Sequence, residues 1–535
     1  MTTTFGSPLP SPPTAGFVSA LMRARPLDAR GRAATLVFLL AVCATGHLNA
    51  QCPDGTPPPC AARAVRASAP SPTSIAVTSF SSPDTASAYL ADGLTEDIAT
   101  TLSRGAALQV KATGSVRRAQ RRFGDDFRGM GHALGVRFVV DGSLRRLGSG
   151  YRISVRLVDA ESEVARWGQT YDRDDGSLPG LPDAIAGAIA AAVTGGRARP
   201  AATSRRTSDP VAYDHYLRGK LLTARRTASS VAAAVREYAT AVARDSTFAA
   251  AYAGLAWDYA VIGWWGWDVG IPPDTVIARG LAAAEHALGL DSANVEAWAS
   301  ISSLRETEDP RRMTGALEAG ARALALDSGN AAAWHNQGVT LRDYGDEADA
   351  EAAFHRALAL EPDRAVTLHN LVILAMTRRR YDEALRWADS TLSVDPEFFW
   401  TLAFRAELLA RSARAADARR DLETMRRLAP DLAYIVEAAA VAVDMALHDA
   451  AAARAHAAAM AAALPPSTPS MVDALIVVPA YAAVGDTAAA LDYLERARPR
   501  GGALWSFLRL DGFDPIRATG RFQRVLADSR PAGAR

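Results

Sequence analysis

Three prolines, Pro362, Pro396 and Pro430, stand 34 residues apart, and Ser328 occupies the same phase one period earlier. A helix does not run through such positions, because proline has no amide hydrogen and its ring clashes with the preceding turn. Between these breaks, residues recur by size. Trp334, Gly338 and Leu341 precede Pro362, followed by Ala350, Phe354 and Ala357. Spacings of three and four place each group on one face of a helix. Small residues at Gly338, Ala350 and Ala357 let two antiparallel helices approach closely, while Trp334 and Phe354 fill the gaps between them. A chain punctuated in this way stacks helix pairs, each burying its face against the next.

Neighbouring phases hold. Tyr252, Leu255, Ala256 and Tyr259 open one unit, and Trp298 opens another. Ala384 and Ala388 precede Pro396, Ala418 and Leu422 precede Pro430, and Ala234, Tyr238 and Ala241 close an earlier unit. Units around Ala452–Ala459 and Ala490–Ala497 are degenerate. The pattern resembles the tetratricopeptide repeat family, with Gln337 where the motif has its first leucine. The resemblance implies a superhelix over residues 210–500, of about seven or eight repeats, that binds a protein or peptide partner. Trp505–Leu526 is aromatic and off-phase, so residues 501–530 read as a cap shielding the last repeat.

Residues 73–196 alternate differently. Ser74–Phe80 and Leu108–Ala112 read as strands, and Asp84–Arg104 and Asp125–Leu134 as helices. Val136–Leu147, Tyr151–Val158 and Val164–Tyr171 read as a meander, closed by a helix over Leu181–Val193. This order predicts one mixed sheet with helices on a face. YLADGLTEDI (Tyr89–Ile98), GVRFVVDGSLRR (Gly135–Arg146), YRISVRLVDAES (Tyr151–Ser162) and Trp167 ahead of Tyr171-Asp172-Arg173 resemble the TolB amino-terminal-like, or FlgO-like, domain family. In that family the domain often stands between a membrane segment and tetratricopeptide repeats, behind a cytoplasmic effector. Only 32 residues precede the apolar run here, so no output activity is carried over. The fold class expected is α+β and multidomain: a small mixed α/β domain, a linker at 197–209, then an all-α superhelix.

Residues 1–50 read as a signal peptide or signal anchor. Arg23, Arg25, Arg30 and Arg32 precede an apolar run of fourteen residues, Ala33–Gly46, with a small residue at Ala50. A spanning helix wants about 20 apolar residues. The chain is therefore expected in the periplasm or cell envelope, anchored in the inner membrane by residues 33–50 if that segment is retained. Cys52 and Cys60 enclose a proline-rich turn within the linker 51–72, and an oxidising compartment would join them. With three cysteines in the chain, no cysteine cluster of zinc-site size exists. A net charge of +1 gives no global field to attract nucleic acid.

Candidate sites are few. The histidines lack metal-ligand spacing, and neither a phosphate loop, a serine-nucleophile turn nor a kinase or cyclase set occurs. Catalytic residues, metal and cofactor are therefore assigned as none, and the chain is read as a non-enzyme. Asp92 and Glu96 share a helix face and read as solvated acids near its N-terminus. His335-Asn336 and His369-Asn370 recur one repeat apart and would form a ladder on the concave face, either structural or ligand-touching. Ala299, Ser303 and Val366 beside them are uncharged, which argues against a chaperone-type carboxylate clamp. An insertion at Ile262–Pro273 concentrates Trp264, Trp265 and Trp267 among glycines. It reads as a loop on one face that either meets a partner or folds back onto the superhelix. The function expected is a protein- or peptide-binding scaffold. The alternative is a sensory ectodomain lacking its own cytoplasmic effector.

Overall fold

The computed structural model describes residues 70–104, 108–196, 207–309, 311, 313–466, 469–497 and 504–534. The expected signal segment and the Cys52–Cys60 loop lie outside the described residues. β1 (Ser74–Val77), β2 (Gln109–Val110), β3 (Phe138–Leu147), β4 (Gly150–Asp159) and β5 (Val164–Asp174) form one mixed sheet in the order β2-β1-β3-β4-β5. β1 runs parallel to β2 and β3, and β3, β4 and β5 form the expected antiparallel meander.

Alternation along β1 sends Ile75 and Val77 to one face and Ala76 to the other, and all four of its residues are buried. Both faces therefore need cover. α1 (Ala88–Arg104) and α4 (Leu181–Thr194) supply it on the first, α2 (Thr113–Phe123) and α3 (Phe127–Leu134) on the second. This differs from the single helical face expected, and α2 is a helix that sequence reasoning did not assign. Its grip on the sheet is slight, through Val116, Ala119 and Phe123, and arginines dominate the rest. The remaining face of β4 and β5 is laced by Arg152–Asp172 at 2.7 Å and Arg156–Asp141 at 2.8 Å.

Eight helix pairs follow among the described residues, at 210–244, 249–290, 295–326, 331–360, 365–394, 399–428, 433–463 and 471–497, called repeats one to eight. Pro362, Pro396 and Pro430 each stand two residues beyond the second helix of a repeat. Glycine and aromatic residues interlock as the spacing implies. A Cβ on Gly338 would lie 2.6 Å from the Phe354 ring, and on Gly219 or Gly254 2.7 or 2.6 Å from Tyr238. The chain is thus an α+β protein, a small mixed-sheet domain followed by a helix-pair superhelix. Among the described residues no helix is long and apolar enough to cross a membrane.

The sheet domain is welded to repeat one. Gly93 on α1 admits Leu217, whose side chain would lie 2.6 Å from a Cβ there. Lys220, one of two lysines in the chain, lies 3.1 Å from Asp97 and 3.1 Å from Glu96. Tyr213 donates to Asp97 at 2.8 Å, and Arg117 pairs with Glu96 at 2.8 Å. Burial opposes the Lys220 charge, but Tyr216, Asp97 and Glu96 outweigh it and hold the ammonium pKa well above the ordinary lysine range. Glu96, expected with Asp92 on a solvated face, therefore lies with Asp97 at a domain interface. Their helix turns toward repeat one because its other side carries Leu90, Leu94 and Ile98 into the sheet.

Two measurements check this account. Lys220→Met takes the ammonium away from Asp97 and leaves Glu96 paired with Arg117, and should cost about 3–5 kcal/mol in urea unfolding. Asp258, fully buried with both carboxylate oxygens 2.9 and 3.0 Å from the Thr223 hydroxyl, has its pKa pushed up to about 8, chiefly by burial. Its unfolded value is about 3.9. The folded state therefore holds the extra proton between these values, and stability falls as pH rises across that window. Asp258→Asn should flatten this slope, by at most about 1.4 kcal/mol per pH unit.

Candidate functional site

First helices of neighbouring repeats pack against one another along the inner wall of the superhelix. The candidate site is this wall. His335 and His369 lie on it but are buried, and each bonds forward into the next repeat. His335 Nδ1 is 3.1 Å from Thr367 Oγ1, and His369 Nδ1 is 2.8 Å from Thr401 Oγ1. Burial first, then neighbouring arginines, keep both rings neutral, with His369 pushed down to about 3. Asn370 accepts from Arg342 and donates to the Val366 carbonyl at 2.8 Å. Asn336 is half-buried, and its amide makes no hydrogen bond among the described residues. Three of the four ladder residues thus tie repeats together.

Trp264 and Trp265 are not on a loop. The first helix of repeat two, Ala249–Trp265, runs a turn longer than expected, because Gly266, not Gly263, takes the left-handed cap at φ 65°. The connection is then only 266–272, and the second helix starts at Pro273. Trp267 stacks on Trp265 with centroids 5.7 Å apart, and Trp264 meets Trp265 edge-on at 5.4 Å. Trp400, at the start of repeat six, lies 5.8 Å from Trp265. The rings therefore bridge the groove from repeat two to repeat six. Trp264 also donates to Glu306 at 3.2 Å. Trp264 and Trp400 pack on one hydrophobic core and Trp267 on another, whereas Trp265 belongs to neither and stacks among the other three rings. All four tryptophans are half-buried.

The C-terminal segment does more than cap repeat eight. Phe513, Ile516 and Phe522 are buried in the core that covers repeats seven and eight, as a cap requires. The preceding stretch, however, returns along the groove edge. Ser506 donates to Asp343 at 2.7 Å, Arg342 lies over the Phe507 ring at 4.7 Å, and Arg509 pairs with Glu347 at 2.7 Å. Asp511 accepts from Tyr381 at 2.6 Å and from Arg411 at 2.9 Å. One edge of the inner wall, from repeat four to repeat six, is therefore closed by the chain itself. Trp400, the returning tail and the pairing of Arg118 on α2 with Asp363 before repeat five escaped the sequence reading, since each joins segments more than a hundred residues apart.

No family model matches the chain. It is 34% identical over 193 residues to a protein of Rhizobium meliloti (strain 1021) named "Putative adenylate cyclase 3", covering 35% of this chain and 32% of that protein. The chain thus spans about a third of the length of the curated relative it matches. Solved structures similar to it include PilF of Pseudomonas aeruginosa, at 20% identity and a TM-score of 0.33, covering 42% of this chain and 95% of that one. A tetratricopeptide repeat protein of Parabacteroides merdae is 15% identical with a TM-score of 0.33, covering 50% and 98%. One from Thermus thermophilus is 20% identical with a TM-score of 0.32, covering 37% and 98%.

The bridge across the groove has a measurable strength. In a double-mutant cycle, Trp265→Ala and Trp400→Ala should show a coupling of about 0.5–1.5 kcal/mol. Additive effects would mean that the two rings do not meet in solution.

Proposed function

We propose that this chain is an exported, non-enzymatic scaffold of the cell envelope that binds a protein or peptide partner through the inner wall of its superhelix. The observation that carries this reading is Trp265: a large ring at the groove, half-buried, held by other rings and belonging to neither core. Burying such a side chain gains about 1.5–3 kcal/mol, and tryptophan anchors are typical interface hot spots. Export rests on the arginine-rich flank, the apolar run at 33–46 and the small residue at Ala50.

The likeness to part of a protein named as an adenylate cyclase favours a second reading, a sensory ectodomain of a signalling system whose effector lies elsewhere. The two readings part at the amino terminus. A processed scaffold begins near Gln51, whereas a sensory ectodomain retains residues 33–50.

The binding test uses the full chain as bait in envelope extract. Wild type should retrieve a specific protein, and Trp265→Ala should lose it while its melting temperature stays within a few degrees. Retention of that protein by Trp265→Ala would remove the groove from the interface.

A further inference from the structure

β5 is the longest strand of the sheet and stands at its edge, with no strand beyond it among the described residues. Its eleven residues span about 37 Å, at roughly 3.4 Å each. β4 pairs with it along one side, and no other main-chain hydrogen bond joins β5 to the described residues. The outward amide and carbonyl groups of such an edge are a template for another strand. Chains that keep a long edge to themselves commonly place lysine or proline on it. β5 has neither, and its charges come in both signs, as Arg166, Asp172, Arg173 and Asp174. Tyr171 alone among its residues is buried.

The order of residues along β5 complements itself. An antiparallel second copy, related by a two-fold axis at the middle residue Gln169, sets Arg166 opposite Asp172, Trp167 opposite Tyr171 and Gly168 opposite Thr170. The whole strand is then paired, from Val164 opposite Asp174 onward, and no like charges face each other. Trp167 and Tyr171 stand against Leu157 and Ile153 of β4, so both lie on the same side of the sheet, as opposed residues must. Moving the axis to Gly168 sets Arg166 opposite Thr170, and moving it to Thr170 sets Gly168 opposite Asp172, with fewer pairs in each case. The two charges are also within reach. Asp172 is held by Arg152 at 2.7 Å on its inner side, yet its side chain stays 57% exposed. Arg166 is the extra residue where the register with β4 shifts, and it lies 3.3 Å from Asp159 with 53% of its side chain exposed.

We propose that β5 pairs antiparallel with β5 of a second copy of this chain, about an axis at Gln169, and joins the two sheets into one of ten strands. Asp172 then stands between Arg152 of its own chain and Arg166 of the second copy. This continues the alternation of acid and arginine that already runs from Asp141 to Arg156 on the open face. Opposite charges and aromatic residues facing each other across strands are the pairs that stabilise a ladder, and the main-chain hydrogen bonds come with them. The pairing does not depend on the groove between the repeats. It places two superhelices in one particle, so a partner with two binding segments would be held more tightly than one with a single segment.

The experiment is sedimentation velocity of the full chain over a hundredfold range of concentration. Wild type should move from the mass of one chain to the mass of two. Arg166→Asp alone, or Asp172→Arg alone, sets like charges opposite each other at both ends of the ladder and should weaken the dimer at least about tenfold. Both residues are exposed, so each variant should keep its melting temperature within a few degrees. An equimolar mixture of the two variants places opposite charges across the axis again and should regain the dimer, which two misfolded chains would not do for each other. A chain carrying both changes restores the same pairs in one molecule and should dimerise as well, which tests the register without relying on either single variant. Wild type that sediments as one chain at every concentration overturns the proposal. Single variants that dimerise as wild type does overturn it by placing the contact elsewhere on the molecule. A mixture and a doubly changed chain that both stay monomeric overturn it by removing the register.

Discussion

In repeat four the ring of Phe354 occupies the space that a side chain on Gly338 would need, and Tyr238 does the same over Gly219 and Gly254. Without a Cβ in the way, the helices of a pair come close enough for the ring to seal the gap by packing alone. That separation, repeated, sets how far the superhelix turns per unit. It brings repeat six back opposite repeat two, where Trp400 meets Trp265, and lets the tail run along one edge of the inner wall. A wider helix pair would separate these partners, and neither the ring bridge nor the closed groove edge would exist.

The same curvature accounts for the unusual amount of charge inside. Glu306, Arg342 and Asp343 are all almost wholly buried on the inner wall. Each is bonded: Glu306 accepts from Trp264 and Thr340, Asp343 from Arg342 and Ser506. Glu306, pushed up by burial and by Asp343 beside it, is held toward its neutral form. Buried polar groups in such a chain are costly one at a time and acceptable as a satisfied set. The returning tail completes the set through Ser506 and Phe507, so its role here is to satisfy polar groups as much as to cover apolar ones.

Local features were legible in the sequence and remote ones were not. Pro362, Pro396 and Pro430 announced their turns, and the strand pattern at 138–174 announced the meander, because each depends on residues a few positions apart. Gly263 misled the reading of Trp264 and Trp265, since a glycine inside a helix looks like the end of one and Gly266 three residues later was the actual cap. α2 was missed because its apolar stripe is thin and its arginines suggested solvent. In fact Arg117 and Arg118 hold the sheet domain to its own α1 and to the turn at 361–363. Nothing near Asp97 in the sequence explains its burial, which depends on Lys220, 123 residues away.

The return of the tail also changes what kind of object the array is. Repeat stacks are ordinarily one-dimensional, each unit touching only its neighbours, so they fray from the ends and tolerate loss of a terminal unit. Here the main chain of Ala532 donates to the carbonyl of Arg311 at 3.0 Å, joining the last described residues to repeat three. Trp265 and Trp400 join repeat two to repeat six. The array is thereby closed into loops of contact, and the middle of the stack is finished only when the final residues of the chain arrive. Such a chain has no free end from which to melt, and its units gain or lose their order together.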